Sequence, residues 1–295
     1  MLIGCYRLNG GIWERYNVIS RAQSTIWNKR FYEVGSFQTR LQSTDVQVYD
    51  IITHGENAGV VLKVKKTYEY QEIYGYDLKG LTSFRVAEAE TLSADVNAEE
   101  KFKAWVKTCL KTGDRTIEGL SITPVHQYEN MIPAGELEEC KLSKRLEEIS
   151  KAVSLGWDIT FDSSQKKLVF DCYAPQRKTE LVFSRKYKNI QSAEYIVDAY
   201  DTVDSSLTGI KRREGSEDKA TSEYMTAEAN ERLVYGIDYK LGDIVTVEEF
   251  GQSAELQITE LEFVYEQNKT IITPTFGEAK QNIIKKLIKE ANKNG

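Results

Sequence analysis

The sequence predicts a mainly β fold that carries an α+β insert in its middle. Apolar and polar residues alternate in short segments of the first and last thirds, as they do in half-buried strands. Two segments between them repeat apolar residues at helical spacing. The 17 Tyr and only 4 Pro also favour strands. At 295 residues, 41% of them hydrophobic and 28% charged, the chain has the composition of a folded protein and room for more than one core.

The N-terminal unit, residues 1–90, is predicted to be a set of strands. Alternation indicates strands at 37–41 and 46–49, and a glycine-containing turn at 55–59 precedes an apolar strand at 60–64. Residues 69–76 then predict a further strand. This unit should form a sheet of its own or part of a larger one.

The middle region, residues 91–180, is predicted to hold the helices. Asn97 and Glu100 form a capping-box pattern before a helical apolar repeat that runs to Leu110. A second apolar repeat spans 137–155, and Gly156 stands where a C′ glycine is expected. The apolar segments 157–161 and 167–173, on either side of a polar turn, predict a β-hairpin.

The third unit, residues 181–277, is predicted to return to strands. Its strand-like segments are 181–183, 195–200, 241–247, 254–261 and 269–274, and the wholly polar 211–219 predicts a long loop. Within 241–247, Gly242-Asp243 could be a catalytic carboxylate or the turn that starts a strand. We favour the turn, because Asp243 has no neighbouring histidine, second acid or metal ligand in sequence.

The last segment, residues 278–295, is predicted to be an amphipathic basic helix. A helix of this size is marginal in water by itself, so its apolar side must dock on something. The rest of the chain is the favoured site, and another subunit or a tail component is the alternative. That apolar side, a candidate interface, consists of Ile283, Ile284, Leu287 and Ile288.

Residues for catalysis are few, and no catalytic, cofactor-binding or metal-binding residue is assigned. The two histidines, His54 and His126, are both interpreted as surface or turn residues, and neither a GxSxG elbow nor a phosphate-binding glycine loop is present. The stretch 201–205 starts like a calcium loop but lacks its glycine and distal Glu. Three acidic pairs are interpreted as solvated faces: Glu88/Glu90, Glu99/Glu100 and Glu138/Glu139.

The remaining sequence signals indicate a protein without a disulfide scaffold, export signal or membrane span. The four cysteines show no CxxC pair, which favours free, largely buried thiols. Leu2–Cys5 resembles the end of a lipoprotein signal but lacks the preceding apolar region. A net charge of −6 disfavours nucleic-acid binding, and acidic neighbours offset the basic string 211–213.

The order of the β-rich segments resembles that of the hub proteins of the distal tail in long-tailed bacteriophages and prophages. These are tail-tip or baseplate-hub proteins related to the N-terminal part of tail-associated lysins. The segments that carry the resemblance are 37–41, 57–61, 73–78, 155–159, 168–173, 181–185, 189–190, 192–195, 238–239, 241–247, 258–260 and 274–277.

The resemblance implies a structural role in the virion tail. The resemblance implies a ring of three subunits, in which each subunit has two β-barrel-like units and smaller α/β inserts. The ring joins the tail tube or distal tail protein to fibres, spike or tape-measure protein. Relatives with a fused lysin are enzymes through that extension, and this sequence has only a short segment after Gly277, so no enzymatic activity and no cofactor are expected.

Two alternatives remain beside the hub. One is a hydrolase that cleaves cell-wall polymer with two carboxylates. The other is a carbohydrate-binding module in which the many tyrosines stack on sugars, although sheet packing explains those tyrosines equally well.

Overall fold

The structure is a computed structural model that describes residues 2–20, 22–42, 44–198, 207–208, 211–212, 222–229, 232–266 and 269–277. Two α-helices are present in these residues, α1 at Ala98–Leu110 and α2 at Leu142–Val153. Short 3-10 segments occur at Leu78–Phe84, Gly113–Arg115 and Arg185–Tyr187.

The strands, in chain order, are β1 Ile3–Asn9, β2 Ile12–Ile19, β3 Ala22–Arg30, β4 Ser36–Leu41, β5 Ile51–His54, β6 Asn57–Lys66, β7 Gln71–Asp77, β8 Val86–Ala87, β9 Glu90–Leu92, β10 Val96–Asn97, β11 Leu120–Ile122, β12 Met131–Ile132, β13 Gly135–Leu137, β14 Cys140–Lys141, β15 Gly156–Asp162, β16 Lys167–Tyr173, β17 Arg177–Ser184, β18 Ile190–Asp198, β19 Leu207–Thr208, β20 Lys211–Arg212, β21 Ser222–Ala229, β22 Ile244–Glu249, β23 Gln252–Glu266 and β24 Thr270–Phe276.

One large sheet joins the N-terminal and C-terminal strands. Its order is β18-β21-β24-β23-β3-β4-β7-β6-β5-β1-β2, and β17 and β22 attach to it through β23. The long β23 makes this possible, because its first half pairs with β22 and its second half pairs with both β24 and β3. The predicted mainly β fold with a helical middle is confirmed.

The β-barrel-like units expected from the resemblance do not appear as closed barrels. Within the part of the chain that the structure describes, the path of paired strands is open and ends at β2 and β18. The physical reason is that β3 and β23 pair along seven residues and so merge the two sets of strands into one sheet. The division into units 1–90, 91–180 and 181–277 stays a prediction.

The middle region holds the predicted helices and packs on this sheet. The Asn97 side chain accepts a hydrogen bond from the Glu100 backbone amide at 3.1 Å, which caps α1. β15 and β16 form the predicted hairpin, and β11 adds to β16 in parallel. A core cluster of α1, α2 and hairpin residues also takes in Tyr6 and Trp13 from the first two strands, so the insert and the sheet share a core.

Two local predictions are wrong. Val46–Tyr49 is a turn rather than a strand, because the Asp50 carboxylate accepts a hydrogen bond from the Gln47 amide and Tyr49 adopts a positive φ of 72°. Gly156 is not the C′ residue of α2, since Ser154 takes the left-handed conformation with φ 59°. Gly156 instead begins β15, where a Cβ would lie 2.6 Å from the Phe31 ring.

The Gly242-Asp243 pair is a turn at the start of β22, as predicted. Gly242 has a φ of 94°, and the Asp243 carboxylate accepts a hydrogen bond from the Lys240 amide at 2.8 Å. The same carboxylate lies 3.0 Å from the Lys178 ammonium. Asp243 therefore stabilises a turn, the interpretation favoured from sequence.

Several predicted features lie outside the described residues. These are the helix 278–295 with its apolar residues Ile283, Ile284, Leu287 and Ile288, the stretch 201–205, and most of the polar loop 211–219.

Candidate functional site

The residues that could carry chemistry gather in two clusters, each built around a lysine. The surface cluster consists of Glu99, Lys103, His126 and Asp171, at the outer side of α1 and β16. The junction cluster consists of Lys29, Asp77, Lys79 and Asp158, between the large sheet and the insert.

The surface cluster is held by Lys103. Its ammonium lies 2.6 Å from Glu99 Oε1 and 3.3 Å from Asp171 Oδ1, and it donates to the Pro124 carbonyl at 2.5 Å. Asp171 in turn lies 2.8 Å from His126 Nε2. Glu99 is fully buried, so the prediction that it belongs to a solvated face is wrong.

The carboxylates of this cluster are held in their ionised forms. Burial alone would raise the pKa of Glu99, but the Lys103 ammonium and the His126 backbone amide hold that pKa below its ordinary value. Burial acts on Asp171 in the same way, and hydrogen bonds from Thr123 and His126 keep its pKa low. Neither carboxyl is thus prepared to act as a general acid near neutral pH.

A divalent metal fits the surface cluster poorly. Ligand atoms of Glu99, His126 and Asp171 lie within 4.8 Å of one another, and no other group of this kind occurs in the described part of the chain. The Lys103 ammonium, however, already contacts both carboxylates. A metal ion would have to displace this cation and its bond to the Pro124 carbonyl, leaving a buried charge unpaired.

The cluster also lacks the order of a nucleophilic triad. In a triad the hydroxyl bonds to the imidazole, and the carboxylate bonds to the opposite ring nitrogen. Here the Thr123 hydroxyl donates to Asp171, the carboxylate that His126 contacts. The hydroxyl is therefore not placed for activation by His126.

The junction cluster lies deeper and was not predicted from the sequence. The Lys79 side chain, only 1% exposed, donates to the backbone carbonyls of Arg30, Phe31 and Glu33 at 2.7, 2.9 and 3.3 Å. Its ammonium also lies 4.7 Å from the centre of the Trp157 ring. Lys79 thus holds the end of β3 and the residues after it against β15 of the insert.

The acidic members of the junction cluster, Asp77 and Asp158, act on this lysine through their charges. Asp77 Oδ2 accepts a hydrogen bond from the Gly35 amide at 3.0 Å, whereas its other oxygen is buried without a hydrogen bond. Asp158 lies 3.4 Å from the Lys29 ammonium. Trp157 also links the insert to the segment after β3, because its ring N–H donates to the Tyr32 carbonyl at 3.1 Å.

Burial shifts both central groups of the junction toward neutrality. It raises the pKa of Asp77 to about 7 and lowers the pKa of Lys79 to about 8, although each charge partly stabilises the other. The only sequence signal for this pair is a lysine between buried apolar residues in Leu78-Lys79-Gly80-Leu81. That signal does not reveal that its partners are backbone carbonyls far away in sequence.

The other residues weighed from sequence do not join either cluster. His54 Nδ1 lies 2.7 Å from the Leu2 carbonyl. Glu90 pairs with Lys101 and accepts from the Trp105 ring N–H at 2.7 Å, while Glu100, Glu138 and Glu139 are exposed. The cysteines are free thiols, buried at 5, 109 and 172 and half-buried at 140, as predicted.

None of the helices in the described residues has the length and apolar character to cross a bilayer.

Comparison with known proteins gives one family and several structural relatives. The sequence profile of the Siphovirus ReqiPepy6 Gp37-like proteins matches residues 7–223. No curated protein matches the sequence.

The solved structures that resemble the chain include three tail proteins. The prophage tail protein gp18 from Listeria monocytogenes EGD-e superposes with a TM-score of 0.57 at 13% identity, over 99% of this chain and 98% of that chain. The tail protein from Neisseria meningitidis MC58 gives 0.55 at 14% identity, over 94% and 96%. The 43 kDa tail protein of prophage MuSo2 from Shewanella oneidensis gives 0.52 at 10% identity, over 93% and 97%.

The profile match covers well over half of the chain, and the three superpositions extend over nearly its whole length. The predicted resemblance to phage tail proteins is thus confirmed in family and in fold. The chain belongs to the Siphovirus ReqiPepy6 Gp37-like family and has the fold of these prophage tail proteins.

Proposed function

We propose that this protein is a non-enzymatic hub subunit of a phage or prophage tail tip or baseplate. The observation that carries the proposal is that the chain shares its whole fold, insert included, with prophage tail proteins. A sheet shared by both ends of the chain and locked to an insert by buried charges is a rigid building block. Rigidity of this kind suits a subunit whose role is to set the geometry of an assembly.

The assembled form that we propose is a homotrimer. It joins the distal tail or tail-tube protein on one side to a fibre, spike or tape-measure protein on the other. The open path of strands supports this, because β2 presents an unpaired edge in the described structure and a neighbouring chain can cover such an edge. The units 1–90, 91–180 and 181–277 form part of the same proposal.

We propose that the protein has no enzymatic activity because of the pKa values and the accessibility of its clustered carboxyl groups. A glycosidase needs one carboxylic acid with a raised pKa next to an ionised one in an open cleft. In the surface cluster both carboxyl groups have lowered pKa values and share one ammonium. Asp77 has a raised pKa, but it is buried under the sheet and the insert, out of reach of a polymer.

Immunogold labelling of intact particles tests the location. Antibodies raised against the purified chain should label the distal end of the tail in electron micrographs. Label confined to heads, or particles that carry none, would contradict the proposal. In parallel, the purified protein should not clear peptidoglycan, and clearing that disappears with Asp171→Asn would favour the hydrolase instead.

A further inference from the structure

The hairpin turn between β22 and β23 has an unusual residue at its tip. Glu249 pairs with Gln252, so the loop holds two residues, Phe250 and Gly251, with φ angles of 55° and 73°. Two positive φ angles define a type I′ turn, whose first position favours Asn, Asp or Gly. Phenylalanine costs stability there, because its Cβ crowds the backbone in the left-handed region.

The other two-residue hairpin loops of the described chain have glycine at the position that Phe250 occupies here. The β1–β2 loop is Gly10-Gly11, with φ angles of 56° and 83°. The β5–β6 loop is Gly55-Glu56, and Gly55 has a φ of 59°. Glycine thus occupies the first position in both, so the phenylalanine at the third turn is not explained by folding.

The turn that holds Phe250 adjoins a basic segment that carries another exposed aromatic residue, Tyr187. Phe250 is 53% exposed and Tyr187 is 50% exposed. The Glu249 carboxylate accepts a hydrogen bond from the Arg185 amide at 2.5 Å, which places the segment 185–188 next to the turn. We call Arg185–Lys188 together with Phe250 the hairpin ridge.

The ridge is positively charged in a protein of net charge −6. Arg185, Lys186 and Lys188 are exposed within four consecutive residues. Glu249 neutralises Arg185, with 3.6 Å between the charged groups, whereas Lys186 lies against the Tyr187 ring, 5.7 Å from its centre. A surface that is both aromatic and basic fits an acidic partner with an apolar contact at its centre.

The chain itself presents such an acidic surface on its insert. Glu136, Glu138 and Glu139 are exposed in and after β13, and none of them forms an ion pair with another described residue. Leu137, half-buried between them, provides apolar contact. We call residues 136–139 the acidic segment.

We propose that the hairpin ridge of one subunit docks on the acidic segment of a second copy of this chain. The two surfaces differ, so the contact is head-to-tail, and repetition around an axis closes a ring. The inference rests on the proposed homotrimer and names the contact that builds it. Phe250 is the central contact, and Lys186 pairs with the glutamates around it.

The substitution Phe250→Asn separates this role from folding. Asparagine suits the first position of a type I′ turn, so the melting temperature of the dilute subunit should stay the same or rise. The trimer should nevertheless dissociate at a concentration at least about tenfold higher, as for an aromatic residue central to an interface. Sedimentation velocity over a concentration series measures this. Tyr68→Asn, at the exposed turn between β6 and β7, is the matched control and should leave association unchanged.

Charge reversal identifies the partner surface. Lys186→Glu and Glu138→Lys should each weaken association, and the two together should restore most of it. A double variant no better than the single ones would overturn the acidic segment as the docking site. A trimeric wild type with Phe250→Asn unaffected overturns the ridge contact alone. A wild type that stays monomeric overturns the proposed homotrimer and the ridge contact with it.

Discussion

The surface cluster and the junction cluster differ in what their lysines bind. Lys103 neutralises two side-chain carboxylates, the buried Glu99 and the partly exposed Asp171, whereas Lys79 binds three backbone carbonyls out of contact with water. A lysine that binds carbonyls has no counter-charge in direct contact, so its burial lowers its own pKa. The first arrangement stabilises a local loop, and the second joins two parts of the fold.

The comparison teaches that the charged groups of this protein serve its architecture. Lys103 and Lys79 each already have acceptors around them, and Asp77, a carboxyl group with a raised pKa, is enclosed. Variants in the two clusters should therefore differ in their effect on stability. The expected effects are given from the largest to the smallest.

The largest effect is expected for Lys79→Met. The methionine fills a similar volume but leaves three buried carbonyls without a donor, so the free energy of unfolding should fall by about 3–5 kcal/mol. Urea denaturation followed by tryptophan fluorescence measures it. Lys144→Met, in an exposed pair with Glu148, is the control and should change stability by less than about 0.5 kcal/mol. Equal effects of the two substitutions would contradict the role given to Lys79.

A smaller loss is expected for Lys103→Met. The Glu99 carboxylate keeps its bond from the His126 amide at 2.8 Å but loses its cation, which should cost about 2 kcal/mol. Adding Glu99→Gln should recover part of that loss, because a neutral amide is less costly to leave unpaired. Urea denaturation measures both losses. A double variant less stable than Lys103→Met would contradict the pairing of Lys103 with Glu99.

The pH dependence of stability should distinguish the junction cluster. A carboxyl whose folded pKa is raised to about 7 binds a proton more readily when folded, so its contribution is complete below its unfolded pKa and is lost as pH rises through 7. Between pH 5 and pH 7, Asp77→Asn should flatten this fall by about 2 kcal/mol relative to wild type. If the free energy of unfolding changes equally with pH in the wild type and in Asp77→Asn, the raised pKa of Asp77 is ruled out.

The smallest effect is expected for His126→Ala. The half-exposed pair with Asp171 should contribute about 0.5 kcal/mol or less to stability. Because Lys103 occupies the cluster, added Zn²⁺ should not raise the melting temperature of the wild type. A rise with Zn²⁺ that His126→Ala abolishes would show that the surface cluster is a metal site after all.

The parts of the fold that the sequence predicted are those set by near neighbours. The cap of α1 depends on Asn97 and Glu100, three residues apart, and the turn before β22 depends on Gly242 and Asp243. Local hydrogen bonding and backbone preference fix both, so a short window of sequence contains the cause.

The parts that escaped prediction depend on contacts between distant segments. Glu99 follows a helix cap in sequence and so suggests a solvated first turn, but the chain around His126 folds over it. Lys79 contacts carbonyls at and after the end of β3, more than forty residues earlier in the sequence. The open strand path likewise follows from the pairing of β3 with β23, more than two hundred residues apart. No local pattern encodes such pairings.

The mass of the purified protein in solution tests the central claim most directly. If the chain is an assembly subunit of a tail hub, light scattering should give three times the 33.7 kDa chain mass, and negative-stain images should show rings. A protein that stays at 33.7 kDa over the whole concentration range, with tail proteins added as well as alone, would contradict it.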